Sequence, residues 1–331
     1  MVADSAGVSI ATVSKVLNSR SDVAPSTRAL VWRFLREHDY MPPSTRSIGS
    51  VARRPVELIF DRTLEAYELE VIQGVTGGGS EAGVAIVVSV QPRLSGADHS
   101  EAWVRDLAAG RQGVIAVFDA VTHAQFTAFE QAQLPLVVLD PQHLPTTEVT
   151  SVGSTNFAGG FAASQHLLGL GHRGIAYLGG PATASCNQAR MHGFLAAMES
   201  RQVPVPASYL RAGSFTYRDG LAGGAALLDL ATRPTAIFAG SDAIAMGVVE
   251  AARLRGLRVP DDLSVVGFDD TLLAQTASPG LTTVRQPLQD MGRVALRTVL
   301  QLAAAEQLDS HHVELATELV VRGSTAAPAR R

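Results

Sequence analysis

The chain has 331 residues, 46% of them apolar, 18% charged and 5% aromatic, which is enough for two or three domains with sizeable cores and unlike a disordered or fibrous chain. Its one cysteine, Cys186, excludes an intrachain disulfide framework and a cysteine-rich zinc site. The net charge of −4 argues against nucleic-acid binding over the whole surface, no apolar run reaches membrane-span length, and Met1-Val2-Ala3-Asp4-Ser5 does not open like a signal peptide, so a soluble cytoplasmic protein is expected.

The charge is unevenly spread. Residues 1–55 carry eight basic against four acidic side chains, a net +4, which leaves −8 for the remainder. A small basic head on an acidic body suits contact with phosphate.

The first 40 residues read as short helices. Val2 to Ala6 forms a brief helical stretch, Gly7-Val8-Ser9 a tight turn, and Ser9 caps a second helix over Ile10 to Leu17. Val13, Val16 and Leu17 are spaced for one buried face. After a polar loop over Ser19 to Ala24, Pro25 opens a third helix with Leu30, Val31, Phe34 and Leu35 as its apolar stripe. Two short helices about a glycine-containing turn, packed by a third, describe a helix-turn-helix. Residues 41–55 have linker composition, with Pro42-Pro43, Gly49 and the pair Arg53-Arg54.

From Val56 the pattern changes. Strand-like apolar runs at Val56–Phe60, Val84–Val90, Gly113–Phe118, Leu136–Leu139, Ile175–Leu178, Ala236–Ala239 and Val265–Phe268 alternate with helical segments at Glu68–Glu81, Glu101–Ala109, His123–Gln133, Phe157–Leu168, Ala189–Ser200, Gly220–Leu230 and Ala243–Leu254. Continuous apolar strands alternating with helices mean parallel sheets covered on both faces. The strands are too many for one sheet, so two successive α/β lobes are expected, with a break near Ser151–Asn156 and a ligand between them at the carboxyl ends of the strands.

Enzyme signatures are weak. Gly169-Leu170-Gly171-His172-Arg173-Gly174 matches GxGxxG, but a helix precedes it and a strand follows, the reverse of a dinucleotide site, so it reads as a helix C-cap and turn. There is no P-loop, G-x-S-x-G elbow or H-E-x-x-H, and no cofactor or metal site is expected. The adjacent His311-His312 would point apart on a strand. Asp269-Asp270 directly follows a buried strand, where ligand contacts lie.

The run Val2-Ala3-Asp4-Ser5-Ala6-Gly7-Val8-Ser9-Ile10-Ala11-Thr12-Val13-Ser14-Lys15-Val16-Leu17-Asn18 resembles the N-terminal signature of the LacI/GalR family of bacterial transcription regulators. Tyr40-Met41-Pro42, His166 to Arg173, Arg190-Met191-His192-Gly193-Phe194, Ser241-Asp242, Val259 to Asp270 and Leu281-Thr282-Thr283-Val284 continue it in family order through nearly the whole chain.

The resemblance implies an all-α helix-turn-helix head (1–43), a hinge (44–55) and a two-lobed, periplasmic-binding-protein-like α/β body (56–331) that binds an effector and dimerises. Its lobes would run over about 56–153 with 285–314, and 154–284 with 315–325. The lobes would be joined by crossings near Gly153–Asn156, Leu281–Gln286 and Leu315–Val320. The family signature starts several residues earlier, and Met1 stands where an Asp is usual, so the head reads as truncated. Ala24 stands where a capping Ser is frequent.

By the same resemblance the second helix enters the major groove of a near-palindromic operator. Ile10 and Ala11 would meet thymine methyls and Lys15 a guanine, while Ser9, Thr12, Ser14 and Asn18 position on phosphates or orient the helix. Ile48 would wedge into the minor groove. Effectors in the family are small molecules, most often sugars. Asp140 and Asp269 would accept sugar hydroxyls, Arg190 would clamp them, Phe215 and Tyr67 would offer aromatic faces, and Ser241 would line the site, with Asp242 as a helix N-cap. Plainer readings stand beside these: an interlobe ion pair for Arg190 and Asp269, core packing for Phe215 and Tyr67, an exposed polar helix face for Thr12 and Ser14, and an unstructured tether around Ile48. The expected whole is a homodimeric repressor without membrane contact. The alternatives are a sugar-binding module with no DNA role and an α/β enzyme, for which no nucleophile–base pair is found.

Overall fold

A computed structural model describes residues 2–17, 23–37, 53–60, 64–90, 101–117, 123–141 and 149–329. Asn18 and Ile48 lie outside the described residues. The chain divides into two compact units, residues 1–53 and 54–331.

In the first unit, helices α1 (Val2–Ser5), α2 (Ile10–Leu17) and α3 (Pro25–Glu37) close around Ala6, Val13, Val16, Val31 and Leu35. Gly7, at φ +62°, supplies the left-handed turn between the first two helices. Ser9 caps α2: its Oγ accepts from the backbone N of Thr12 at 3.1 Å and lies 2.9 Å from the Thr12 hydroxyl.

The second unit alternates strand and helix. The first lobe holds β1 (Val56–Phe60), α4 (Ala66–Ala82), β2 (Ile86–Val90), α5 (Glu101–Gly110), β3 (Gly113–Val117), α6 (His123–Gln131), β4 (Leu136–Leu139) and β5 (Ser151–Ser154). The second holds α7 (Asn156–Gly169), β6 (Ile175–Leu178), α8 (Ser185–Ser200), β7 (Leu210–Arg211), α9 (Tyr217–Leu228), β8 (Ala236–Ala239), α10 (Asp242–Arg253), β9 (Ser264–Asp269), α11 (Leu272–Thr276) and β10 (Thr282–Arg285). The chain returns to the first lobe for α12 (Leu288–Ala303) and β11 (His312–Leu315), and ends its regular structure in the second with β12 (Glu318–Val320).

The two sheets run β11-β5-β4-β3-β1-β2 and β12-β10-β9-β8-β6-β7. All pairings are parallel except β10 with β12. β1, β3, β4, β6, β8 and β9 are buried along their whole length, which is why they read as largely apolar runs, broken in β1 by Glu57 and bounded in β9 by Ser264 and Asp269. The expected break near Ser151 is itself a strand, β5. Its sequence, Ser-Val-Gly-Ser, carries one large apolar side chain, so no apolar run marks it. The second crossing is narrower than expected: Thr282–Arg285 belongs to the second sheet, and only Gln286 and Pro287 pass between the lobes. The first and third crossings are joined, since Thr317 N donates to Thr155 Oγ1 at 2.9 Å and Thr317 Oγ1 to Thr155 O at 3.2 Å.

Three helix pairs meet backbone to backbone through reciprocal glycines. A methyl on Gly160 of α7 would collide with the carbonyl of Arg190 in α8, and one on Gly193 of α8 with that of Phe157 in α7. Gly220 and Gly247 make the same exchange between α9 and α10, and Gly74 with Gly292 between α4 and α12. The α7–α8 contact sets how far Arg190 stands from the sheet. At the GxGxxG match, α7 ends at Gly169, Gly171 turns at φ +102°, and β6 begins at Ile175, as a helix end and turn require.

Candidate functional site: the interlobe cleft and the exposed helix

Strand ends of both lobes face one cleft of about 550 Å3, counted to its open mouth. Tyr67, Glu68, Arg190, Phe215, Ser241 and Asp269 are among its lining residues. Three acidic residues at these strand ends hold left-handed backbone: Asp140 after β4 (φ +49°), Asp269 closing β9 (φ +114°) and Asp270 (φ +58°). Such conformations cost of order 1–3 kcal/mol each and gather at ligand sites, where they aim a side chain.

Arg190 is the cation of the cleft, and it is 2% exposed. Its Nε donates to Asn156 Oδ1 at 2.7 Å and its Nη1 to the carbonyl of Gly240 at 2.7 Å. Nη1 also stands 3.8 Å from Asp269 Oδ1. The guanidinium lies over the Phe268 ring, with Phe215 at 5.6 Å. Nη2 has no hydrogen bond to a described residue, so it is the donor left for a ligand. Asp269 accepts from Gln286 Nε2 at 2.7 Å. Burial pushes its carboxyl up to about 7, against the pull of Arg190 and the Gln286 hydrogen bond and with the push of Asp140 and Glu68.

Across the cleft, Tyr67 donates to Asp140 Oδ2 at 2.6 Å. Burial, reinforced by Asp140, raises the Tyr67 phenol well above its ordinary value, so it remains a donor. Phe215 stands over Gly180, whose missing side chain makes room for the ring. The loop that presents it is fixed by Asp219, whose Oδ2 accepts from Ser214 N at 2.7 Å, and by Thr216, which caps α9 through Asp219 N at 3.2 Å. Cys186 is buried nearby, and burial pushes its thiol up to about 11, which makes it a poor nucleophile.

One expected role moves by a single residue. Ser241, not Asp242, is the N-cap of α10, with its Oγ accepting from Ile244 N at 3.2 Å. Asp242 is the first helical residue, 1% exposed, and accepts from Thr271 N at 2.8 Å, Thr271 Oγ1 at 3.0 Å and Thr283 Oγ1 at 2.6 Å. Burial and then Asp269 raise its carboxyl, which those three donors oppose. Sequence reasoning missed Glu68, Asn156, Thr271 and Gln286. Only Glu68 carried a local signal: it stands three residues after Glu65, and its Oε2 accepts from Glu65 N at 2.9 Å at the start of α4.

In the first unit, Ile10, Ala11, Ser14 and Lys15 are exposed on one side of α2, with Ile10 at 80%. Thr12 is partly covered and Ser9 caps the helix. Among the described residues no group of three or more His, Cys, Asp and Glu side chains could hold a metal ion, and no helix is long and apolar enough to cross a membrane.

Residues 2–43 match the family described as bacterial regulatory proteins, lacI family, and residues 164–325 match the periplasmic binding protein-like domain. The chain is 32% identical over 333 residues to the HTH-type transcriptional regulator DegA of Bacillus subtilis (strain 168), covering 98% of this chain and 97% of that one. It is 32% identical over 328 residues to the HTH-type transcriptional repressor PurR of Proteus mirabilis (strain HI4320), covering 98% and 96%. Its structure is similar to a complex of the transcriptional regulator CelR with cellobiose (TM-score 0.75, 31% identity, 98% of each chain). It is also similar to the lac repressor dimer bound to operator and the anti-inducer ONPF (TM-score 0.72, 27% identity, 98% of each chain).

A helix-turn-helix unit joined to two lobes with a lined cleft defines a DNA-binding transcription regulator controlled by a small molecule, and its relatives are regulators, not enzymes. The chain belongs to the LacI family of bacterial regulatory proteins.

Proposed function

We propose that this regulator is a sugar-responsive repressor, working in the cytoplasm as a homodimer on a near-palindromic operator. The head would be residues 1–43, the hinge 44–55 and the body 56–331. The observation that carries the sugar is the cleft itself: on Arg190 a guanidinium nitrogen with no hydrogen bond to a described residue, the carboxylate acceptor Asp269 and the aromatic ring of Phe215, with Asp140 behind them holding the Tyr67 hydroxyl. A pyranose needs these together, with donors and acceptors for its hydroxyls and an apolar face for its C–H side. The similarity to a cellobiose complex supports the same class.

Two heads related by a twofold axis read two half-sites about one helical turn apart. Ile10 and Ala11 meet thymine methyls, Lys15 a guanine edge, and Ser14 with Thr12 and Asn18 the phosphates, while Ile48 wedges the minor groove. A sugar that prefers one closure of the lobes shifts operator affinity, and one that binds both closures equally shifts nothing.

The test is calorimetric titration of the full chain with cellobiose and a panel of neutral mono- and disaccharides, beside operator binding with and without each sugar. Saturable binding of one sugar, lost in Arg190→Met, and a changed operator affinity are expected. Absence of binding by any sugar to a chain that melts cooperatively overturns the sugar effector. Sugar binding without DNA binding returns the sugar-binding module. Sedimentation at twice 34.8 kDa is expected for the dimer.

A further inference from the structure

Gln286 stands in the second crossing and is 3% exposed. Both ends of its amide are engaged. Nε2 donates to Asp269 Oδ1 at 2.7 Å, and Oε1 accepts from Ser154 Oγ at 2.5 Å. Its backbone N donates to Asp269 O at 3.2 Å. Asp269 ends a strand of the second lobe and faces the cleft, while Ser154 ends a strand of the first lobe where the chain first crosses. One side chain therefore holds the cleft carboxylate, the first crossing and the second crossing together.

The amide has a fixed polarity. It presents a donor to the carboxylate and an acceptor to the hydroxyl, and turning it over sets oxygen against oxygen at Asp269. A ligand that draws on Asp269 Oδ1 competes with this amide. The neighbouring backbone cannot absorb the change, because Asp270 is held by Arg285 Nε at 2.7 Å and Arg322 Nη2 at 2.5 Å. A second chain of bonds reaches the same place: Arg190 donates to Asn156 Oδ1, and Asn156 Nδ2 donates to the carbonyl of Ser154 at 3.0 Å. Hinge motion concentrates in a few such element-terminal residues.

We propose that Gln286 is the positioning residue that couples Asp269 in the cleft to the angle between the lobes, by way of Ser154. This rests on the regulator function proposed above.

The test is a double-mutant cycle on the full chain, read as affinity for the DNA upstream of its own gene, without sugar and at fixed salt. Gln286→Met keeps the volume and loses both bonds. Asp269→Leu loses the acceptor, which Asp269→Asn would keep in its amide oxygen. Each single change shifts operator affinity about fivefold or more. The double Asp269→Leu/Gln286→Met shifts it no further than the larger single, because both remove one link. The exchange Asp269→Asn/Gln286→Glu restores that link with reversed polarity and still accepts from Ser154, so it returns affinity to near wild type. Thermal melts restrict the comparison to folded variants. Gln289→Met, beside the crossing and bonded to Glu70 instead, leaves operator affinity unchanged. Multiplicative single effects, or an exchange no better than Gln286→Glu alone, overturn the coupling. A wild-type chain that binds neither this DNA nor a random operator pool overturns the regulator reading and the coupling with it, a result distinct from a wild type that binds while the cycle is additive.

Discussion

The guanidinium carbon of Arg190 stands 3.8 Å from the centroid of the Phe268 ring, so the cation of the cleft lies over the side chain just before Asp269. A flat, forked cation meets that aromatic face, the Asn156 acceptor and the Gly240 carbonyl at once, and a lysine ammonium cannot. Arg190→Lys is therefore expected to weaken sugar binding at least tenfold in calorimetry while the chain stays folded.

Removing the charge has a pH-dependent cost. Truncating one member of a buried pair is severe when the other stays charged. Asp269 can escape by taking a proton, since burial already holds its carboxyl at about 7. Arg190→Met should destabilise the chain by about 1–3 kcal/mol near pH 6 and by more near pH 8, as urea unfolding at the two pH values would show. An equal loss at both would contradict this account.

Asp269 also sets the pH profile of the wild type. Its carboxyl titrates near 7 when folded, against an ordinary 3.8, so between those values the folded chain binds more protons than the unfolded one. Stability contributed in this way is complete below about pH 4 and is lost as pH rises towards 7. Asp242, raised in the same direction, adds to that slope. Asp269→Asn should flatten melting temperature against pH over this window, and a sugar that donates a hydroxyl to Asp269 should bind more tightly as pH rises through 7.

The reciprocal glycines give a packing test. Gly160→Ala places a methyl against the Arg190 carbonyl and forces α7 from α8, with an expected cost of about 1–3 kcal/mol. Gly77→Ala, within α4 and with nothing inside 4 Å of the added methyl, should instead stabilise by roughly 0.5–1 kcal/mol. Chemical denaturation of the two variants separates close approach from helix propensity.

Much of this arrangement was legible before the fold was seen. Strands buried on both faces announced themselves as apolar runs, as at Val56–Phe60 and Ile175–Leu178. β5, β11 and β12 did not, because strands of three or four residues that mix one or two Val and Leu with Ser, Gly, His or Glu are too short and too polar to stand out as apolar runs. α12 was legible and is absent from the sequence reading, although Leu288, Met291, Ala295, Leu296 and Val299 repeat at helical spacing. In the cleft, Arg190, Asp269 and Phe215 could be named from family motifs. Gln286 and Asn156 could not be named as coupled to them, because their importance lies in which partners the fold brings within 3 Å.

The α2 face separates folding from reading. Ser9→Ala removes the cap and should cost about 1 kcal/mol. Ile10→Ala, at an 80% exposed position, should leave the melting temperature unchanged and still weaken operator binding. Lys15→Ala should cost about 1–3 kcal/mol of binding and relax preference at one base pair of each half-site. A selection on randomised half-sites reads both.

The most direct measurement is binding of the purified chain to the DNA upstream of its own gene at two salt concentrations. Specific, saturable binding that weakens steeply with salt is the predicted result, since phosphate contacts release counterions. Absence of specific binding, both on that DNA and in a random operator pool, would contradict the account at its centre.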